Sequence, residues 1–338
     1  MLNSPVATLA DMLSHLLDRD FVKQAGPVLA AIVSDPRVRS AVAALNREAE
    51  RLQAANEPLT RNNPAIGNVR GAVEASINGV KPQLATAGTA LETGAIATGA
   101  QIAHQMAVSG GLQGIPGYAW NVVREVKRYT SSRAWSAQLN AFAPDAGRRV
   151  AQIAVAGIVD GQNPVDIARS VSDAVTSLPR TQAEALLRTL QLNSYRRANA
   201  ANYAANSDVL EPMGIRIAAL DDRTCPVCVD LHGTLVPIDE DIESHYNCRC
   251  TVVPIVKGFP RDIESGEDWF NAQDAARQQR ILGKAAYNAW NDGAVTLSDF
   301  VGHTDDPIFG RQLATNSLKG ILGSKDAKQF YSFNYNKN

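Results

Sequence analysis

The chain has 338 residues, 45% hydrophobic and 20% charged, enough for about two domains with cores of their own and too apolar for wholesale disorder. A formal net charge of −1 excludes a general electrostatic grip on DNA, which rests on many Lys and Arg contacts to phosphate. All four cysteines fall between Asp221 and Pro254, so a disulfide scaffold spread over the chain is excluded as well.

Residues 1–60 read as an N-terminal helical arm. Ser34 or Asp35 can cap, and Pro36 can open, a helix through Arg51 with Val38, Val42, Leu45 and Ala49 along one face. Ala7 to Leu17 and Phe21 to Val33 look like two earlier helices. An ordinary helical hairpin and a partner-binding arm both fit this pattern.

Residues 61–118 form an Ala/Gly-rich helical segment. Asn62-Asn63-Pro64 breaks the preceding pattern. From Leu84 to Val108 only Glu92 and His104 are ionisable, and Gly88, Gly94 and Gly99 suit close helix packing. The run is long enough to span a bilayer, but Thr, Gln and Gly take the place of large apolar residues, so no stable membrane span is expected. Gly110-Gly111 and Pro116-Gly117 mark its end.

Residues 119–211 are expected to be a helical domain. Arg124, Lys127, Arg128 and Arg133 interleave with Tyr129 and Trp135, a mixture that can bind nucleic acid through phosphate contacts and stacking. Glu125 sits among them, and a solvated helix face with Trp135 anchored in the core is the favoured reading. Arg149 to Val159 is helical, Gly161 to Pro164 is a turn with Asn163 as cap, and Val165 to Val175 is helical again. Arg180 then opens a long helix that buries Leu186, Leu187 and Leu190 and turns Arg196 and Arg197 outward.

Residues 212–258 change period. Ile215 and Ile217 point one way and Arg216 the other. Thr234 to Ile238 and Thr251 to Ile255 supply two more strands. Between the strands lie Cys225-Pro226-Val227-Cys228 and, after a loop, His245, Cys248 and Cys250. A CxxC turn lets two thiolates converge on one ion while N–H groups steady the sulfurs, and two ligand pairs at this separation are the pattern of a structural zinc site. Five donors compete for four tetrahedral positions. The set is either four cysteines or one in which His245 replaces Cys248 or Cys250, with His232 a weaker sixth candidate. Two disulfides would need an oxidising compartment, and MLNSPVATLADML lacks the pattern of a secretory signal. Unconnected core cysteines would scatter rather than cluster.

Residues 259–338 read as C-terminal helices and an aromatic tail. Ser265 with Asp268 can cap a helix that Gly283 ends, and Trp269 and Trp290 belong to a core. Tyr331, Phe333 and Tyr335 would share one side of an extended strand able to add to a sheet edge or to fold back on its own domain. The fold class is therefore α+β, mainly α: a helical body with a small zinc-stapled antiparallel β module.

The string LDDRTCPVC, followed by Leu231-His232-Gly233 and then by HYNCRCTV, resembles the signature of the Mu F-like phage minor head proteins, the phage head morphogenesis family. His232 stands where that family commonly has Asp, and Tyr246 where it often has Pro. A second likeness lies in Trp269-Phe270, Gln273, Gln278 to Gly283, and Ala289-Trp290 with Gly293. Together these cover about Gly147 to Val301. Family members commonly show Arg-Thr-Glu where this chain has Arg180-Thr181-Gln182, so an ion pair made by that Glu is absent or neutral here.

The resemblance implies a structural, non-enzymatic virion protein that acts in head assembly inside the capsid, near the portal vertex, and that passes through the host cytoplasm during assembly. Portal and capsid proteins are its implied partners, in multiple copies per particle, with packaged DNA a further contact. With only a short tail expected after Val301, an added toxin or enzyme domain is not expected. One alternative is an HNH-like treble-clef nuclease, which needs an open metal position and a His base. His232 is the only free neighbour of the cluster, and no His pair follows Cys250 on a helix. The other is an internal ejection protein contacting DNA or membrane, a reading kept alive by the Ala/Gly-rich run.

Overall fold

The computed structural model describes residues 5–221, 223–306 and 310–331. Five long helices come first: α1 (Pro5–Val33), α2 (Pro36–Ala54), α3 (Pro64–Ser109), α4 (Arg133–Val159) and α5 (Pro164–Ala204). There follow β1 (Leu210–Ile217), α6 (Pro226–Asp230), β2 (Leu235–Pro237), β3 (Thr251–Val256), α7 (Gly266–Asn271), α8 (Ala275–Leu282), α9 (Lys284–Asn291), β4 (Val301–Asp306), β5 (Gly310–Thr315) and α10 (Leu318–Tyr331). With 63% of the chain helical and only small antiparallel sheets, the class is α+β, mainly α. Among the described residues no helix is long and apolar enough to cross a membrane.

The chain divides into two compact units. The helical unit holds Asp18–Gly94 and Arg128–Gln191. Its α2 starts as the sequence predicts, with Asp35 as cap accepting from Arg37 N at 2.8 Å and Pro36 in the first turn. Gly88 lies against the Trp135 ring, where an added Cβ would come within 2.7 Å of the indole, so the glycine allows close packing and Trp135 is indeed in the core. The buried Glu92 carboxylate accepts from Tyr129 N, Thr130 N and Thr130 Oγ1, which satisfies its charge with local donors. Gln182 donates to the buried Asp145 at 2.9 Å, and Arg149 pairs with the same carboxylate at 2.7 Å. A glutamate at 182 would face Asp145 with like charge, which accounts for the amide there.

The mixed unit holds Met1–Leu17, Ala95–Lys127 and Leu192–Asn338. Its three-stranded antiparallel sheet has the order β2-β1-β3, with Gly214 opposite both Val236 and Pro254, and Arg216 opposite Val252. Alternation along β1 sends Ile215 and Ile217 into a cluster with Ile102, Met106 and Tyr195, while the opposite side of the sheet faces the cysteines. The knuckle helix α6 packs Val229 against Phe270 and Leu297, and Phe270 meets Trp290 edge to face at 5.0 Å. β4 and β5 form a hairpin in register from Val301↔Thr315 to Asp306↔Gly310. Gly283 and Gly323, at φ 80° and 78°, take the left-handed turns that separate α8 from α9 and break α10.

Several sequence expectations are corrected. The two stretches before Val33 are one helix running through Pro27, and the break expected near Arg180 is absent because α5 runs through Pro179. Proline removes a hydrogen bond and crowds the preceding turn, but Val175, Ala183 and Leu186 are buried on either side and hold the helix together. Arg124, Lys127 and Arg128 lie on a non-helical segment rather than a helix face. Within it, Asn202 pairs with both backbone groups of Val123 at 2.8 Å, and Asn206 does so with Asn121 at 2.8 and 2.9 Å. These buried amides satisfy the segment's backbone as a neighbouring strand would. Ser265 caps only the short α7, and Asp274 caps a separate α8 that ends at Gly283. After Val301 there is no mere tail but a hairpin and α10, in which Phe330 is buried and Phe330-Tyr331 are helical rather than extended. Phe333 and Tyr335 lie outside the described residues.

Candidate metal centre

Cys225 is the cap of α6. Its sulfur accepts from Cys228 N at 3.4 Å, and Pro226 fills the first helical position. The second turn closes through Cys248 N to His245 O at 3.1 Å, with Asn247 at φ 57°. Asn is among the few residue types that tolerate this left-handed conformation, which lets the chain double back between His245 and Cys248.

These turns bring all five predicted donors together. Cys225, Cys228 and His245 form one group, and Cys228, Cys248 and Cys250 another, with the donor atoms of each group within 4.8 Å of one another. His245 Nε2 is 3.2 Å from Cys225 Sγ and 3.1 Å from Cys228 Sγ, and Cys228 Sγ is 3.9 Å from Cys248 Sγ. Tetrahedral zinc, with bonds of about 2.3 Å to sulfur and 2.0 Å to nitrogen, sets its ligand atoms roughly 3.4–3.8 Å apart. All four cysteines are free thiols.

The imidazole tautomer also fits a metal. His245 Nδ1 lies 2.7 Å from Tyr246 O, and a carbonyl can only accept, so Nδ1 carries a proton and Nε2, which faces the sulfurs, is the nitrogen whose proton a metal would replace. Without an ion the donors share protons. Hydrogen bonding to Cys228 pulls Cys225 down to about 4, while Cys228, in contact with Cys225, Cys248 and Cys250, is pushed up. Burial opposes charge on His245, yet its hydrogen bonds to Cys225 and Cys248 prevail and raise it to about 10. A divalent cation would take the place of these shared protons.

Three arginines brace the cluster. Arg249, between Cys248 and Cys250, makes a two-pronged ion pair with Asp221 at 2.5 Å for both bonds, tying the second turn to the segment that leads into the first. That contact, opposed in part by burial, holds the Asp221 carboxyl well below the usual range. Arg196 is buried and donates from Nη1 to Cys248 O at 2.9 Å and Cys250 O at 3.2 Å, with Nη2 on Ser244 Oγ at 3.1 Å. This corrects the outward reading of Arg196; Arg197, about a third exposed, keeps the outer position beside Asp241. Arg216 is buried too, with Nη1 on Glu243 O at 3.0 Å. Strand alternation already separated Arg216 from Ile215 and Ile217, but nothing in the sequence said that the far side was covered.

His232 belongs to neither donor group. Its Nδ1 accepts from Ala218 N at 2.9 Å, and burial lowers it to about 4, so it is a neutral packed imidazole. The cleft beside Cys225 and His245, lined also by Arg223, Thr224 and Arg249, measures about 20 Å³.

Residues 148–253 match the family model described as phage Mu protein F like protein. This region of the chain is Mu F-like. The Mu F-like region begins in α4, takes in α5, β1 and both knuckles, and ends inside β3, so it contains every candidate ligand. The family is one of phage head morphogenesis. Comparison with curated proteins and with solved structures gives no match.

Proposed function

We propose that this protein is a structural minor head protein that acts in phage head morphogenesis at the portal vertex, and that it holds one structural zinc through four of Cys225, Cys228, His245, Cys248 and Cys250. What carries the reading is the Mu F-like match, which spans the whole donor cluster. Sulfur and nitrogen donors in near-tetrahedral spacing favour zinc over hard cations, which prefer oxygen. The zinc would serve folding, since the stretch from Asp239 to Ser244 that leads to its second ligand group has only Ile242 as a large apolar side chain to bury. The partners in this reading are portal and capsid subunits, with several copies per particle and packaged DNA close by. It places the protein inside the head.

Elemental analysis of protein purified without chelator should find about one zinc per chain, and Cys225→Ser should lose it together with several kcal/mol of stability. A metal-free parent would sink the zinc assignment. Heads assembled from a genome lacking this chain should be defective, and normal, infectious heads would refute the assembly role.

A further inference from the structure

Arg216 is 3% exposed, and only one of its guanidinium nitrogens, Nη1, has an oxygen partner. Nε and Nη2 are buried without a hydrogen-bond acceptor. Left so, a buried cation would be costly. What shares its side of the sheet is sulfur: Arg216 lies opposite Val252, which packs in one cluster with Cys228, Cys248 and Cys250, while Ile215 and Ile217 turn to the other side. Its main chain is fixed on one edge, where Arg216 N donates to Thr234 O at 2.8 Å and Gly233 N donates to Arg216 O at 2.8 Å, and it lies opposite Val252 on the other. The guanidinium is thus held by a rigid strand rather than by a mobile loop.

Three thiolates and one imidazole around a divalent ion leave one surplus negative charge. The fourth cysteine adds a second if it is ionised, and four thiolates on the ion likewise leave two. Arg249 is occupied by Asp221, and Arg196 directs its guanidinium at carbonyls and Ser244 Oγ. Arg196 has one nitrogen, Nε, without a hydrogen bond, and it lies 3.6 Å from the Asp241 carboxylate, whereas Arg216 has two such nitrogens on the side of the sheet that holds the cysteines. We propose that Arg216 is a positioning residue for the metal centre, its Nε and Nη2 groups neutralising the surplus charge of the thiolates on the Cys248–Cys250 side. This rests on the zinc reading above, and it adds a specific determinant of metal affinity outside the ligand set.

The test compares parent, Arg216→Met and Arg216→Lys by competition with a chromophoric zinc chelator, and by melting of the zinc-loaded and metal-free forms. The parent should bind one zinc. Arg216→Met should bind it about tenfold to a hundredfold more weakly, as for other residues that tune ligands from outside the first coordination sphere. Arg216→Lys, which keeps the charge, should fall between the two. Because the effect acts on the metal, Arg216→Met should narrow the melting gap between loaded and metal-free protein. Equal zinc affinity in parent and Arg216→Met overturns the inference, as does an equal fall in melting temperature with and without metal, which would reduce Arg216 to a brace for Glu243 O. If Arg216→Met does not fold, Arg216→Lys decides: zinc loss as severe as that of Cys225→Ser overturns the charge role, and retention within about tenfold supports it. A parent that binds no zinc removes the zinc reading and this inference with it.

Discussion

Gly266 opens α7 where that helix meets the end of the knuckle helix α6, and its N–H donates to His232 O at 3.1 Å. A Cβ built there would lie 1.6 Å from Val229 O, 2.7 Å from Val229 C and 3.0 Å from His232 Cβ. Ordinary contact starts at 3.4 Å, so the nearest atom must retreat by nearly 2 Å, and it is main chain that no rotamer change can move. Gly266→Ala should therefore push α7 off α6, stretch the hydrogen bond to His232 and part Phe270 from Val229, both fully buried. Overpacking of this kind costs about 1–3 kcal/mol and the hydrogen bond about 1 more, so we expect roughly 3 kcal/mol. At about 2–4 °C per kcal/mol, the melting temperature should fall by about 6–12 °C. The assay is thermal unfolding in zinc-containing buffer, with Gly71→Ala as control, because that helical position has nothing within 4 Å of an added Cβ. The control should be neutral or up to about 1 kcal/mol more stable. A Gly266→Ala protein melting within about one degree of the parent would refute the reasoning.

Asn202→Ala or Asn206→Ala leaves the backbone of Val123 or Asn121 without its partners, and limited proteolysis should then cut between residues 118 and 128 faster than in the parent; unchanged cleavage would show that the amides do not hold the segment. The Asp221 carboxyl is depressed by Arg249, so its contribution to stability is present above the unfolded value of about 3.9 and is lost as pH falls below it. With Asp221 more than a third exposed, that contribution is about 1 kcal/mol or less. In chemical denaturation, the stability gap between parent and Asp221→Asn should therefore narrow progressively as pH falls from about 4 toward the depressed folded value, and a gap independent of pH would contradict the ion pair's role. Truncation after Tyr331 should leave melting unchanged, since the buried Phe330 is kept, while lowering incorporation into heads if the tail docks on a portal or capsid subunit; full incorporation argues against docking.

The Cys/His cluster was legible because coordination demands particular side chains at particular spacings, and Cys225, Cys228, His245, Cys248 and Cys250 lie at such spacings within one short stretch. The strands were legible because one side of β1 had to be apolar. What the sequence hid depended on distant neighbours. Arg196 looks like a solvated helix residue until a loop some fifty positions later places Cys248 O and Cys250 O over it. The segment around Val123 carries no helix-breaking signal of its own. It is drawn out by Asn202, 79 residues downstream. The β4–β5 hairpin escaped notice because most of its side chains are exposed or only half-buried, so no apolar alternation announces it.

The loop that delivers His245, Cys248 and Cys250 begins Asp239-Glu240-Asp241-Ile242-Glu243-Ser244, in which Ile242 is the only large apolar side chain. Hydrophobic burial can supply only about 2–3 kcal/mol through that single isoleucine, less than the cost of ordering so many residues. The loop is therefore held by polar devices. Arg196 takes Ser244 Oγ and the carbonyls of two cysteines, Arg216 takes Glu243 O, and Arg249 reaches back to Asp221. Arg196 and Arg216 direct cations toward a region whose carbonyls and sulfurs are electron-rich, an arrangement that gains most when the sulfurs are thiolates. Thiolates so close together repel one another unless a cation lies between them. The arginines thus answer from outside the same electrostatic problem that a cation among the thiolates would answer from inside. The β4–β5 hairpin depends on the same solution, because Leu313 N donates to Ser244 O at 3.1 Å and His303 meets Glu243 at 3.2 Å on the loop's outer side.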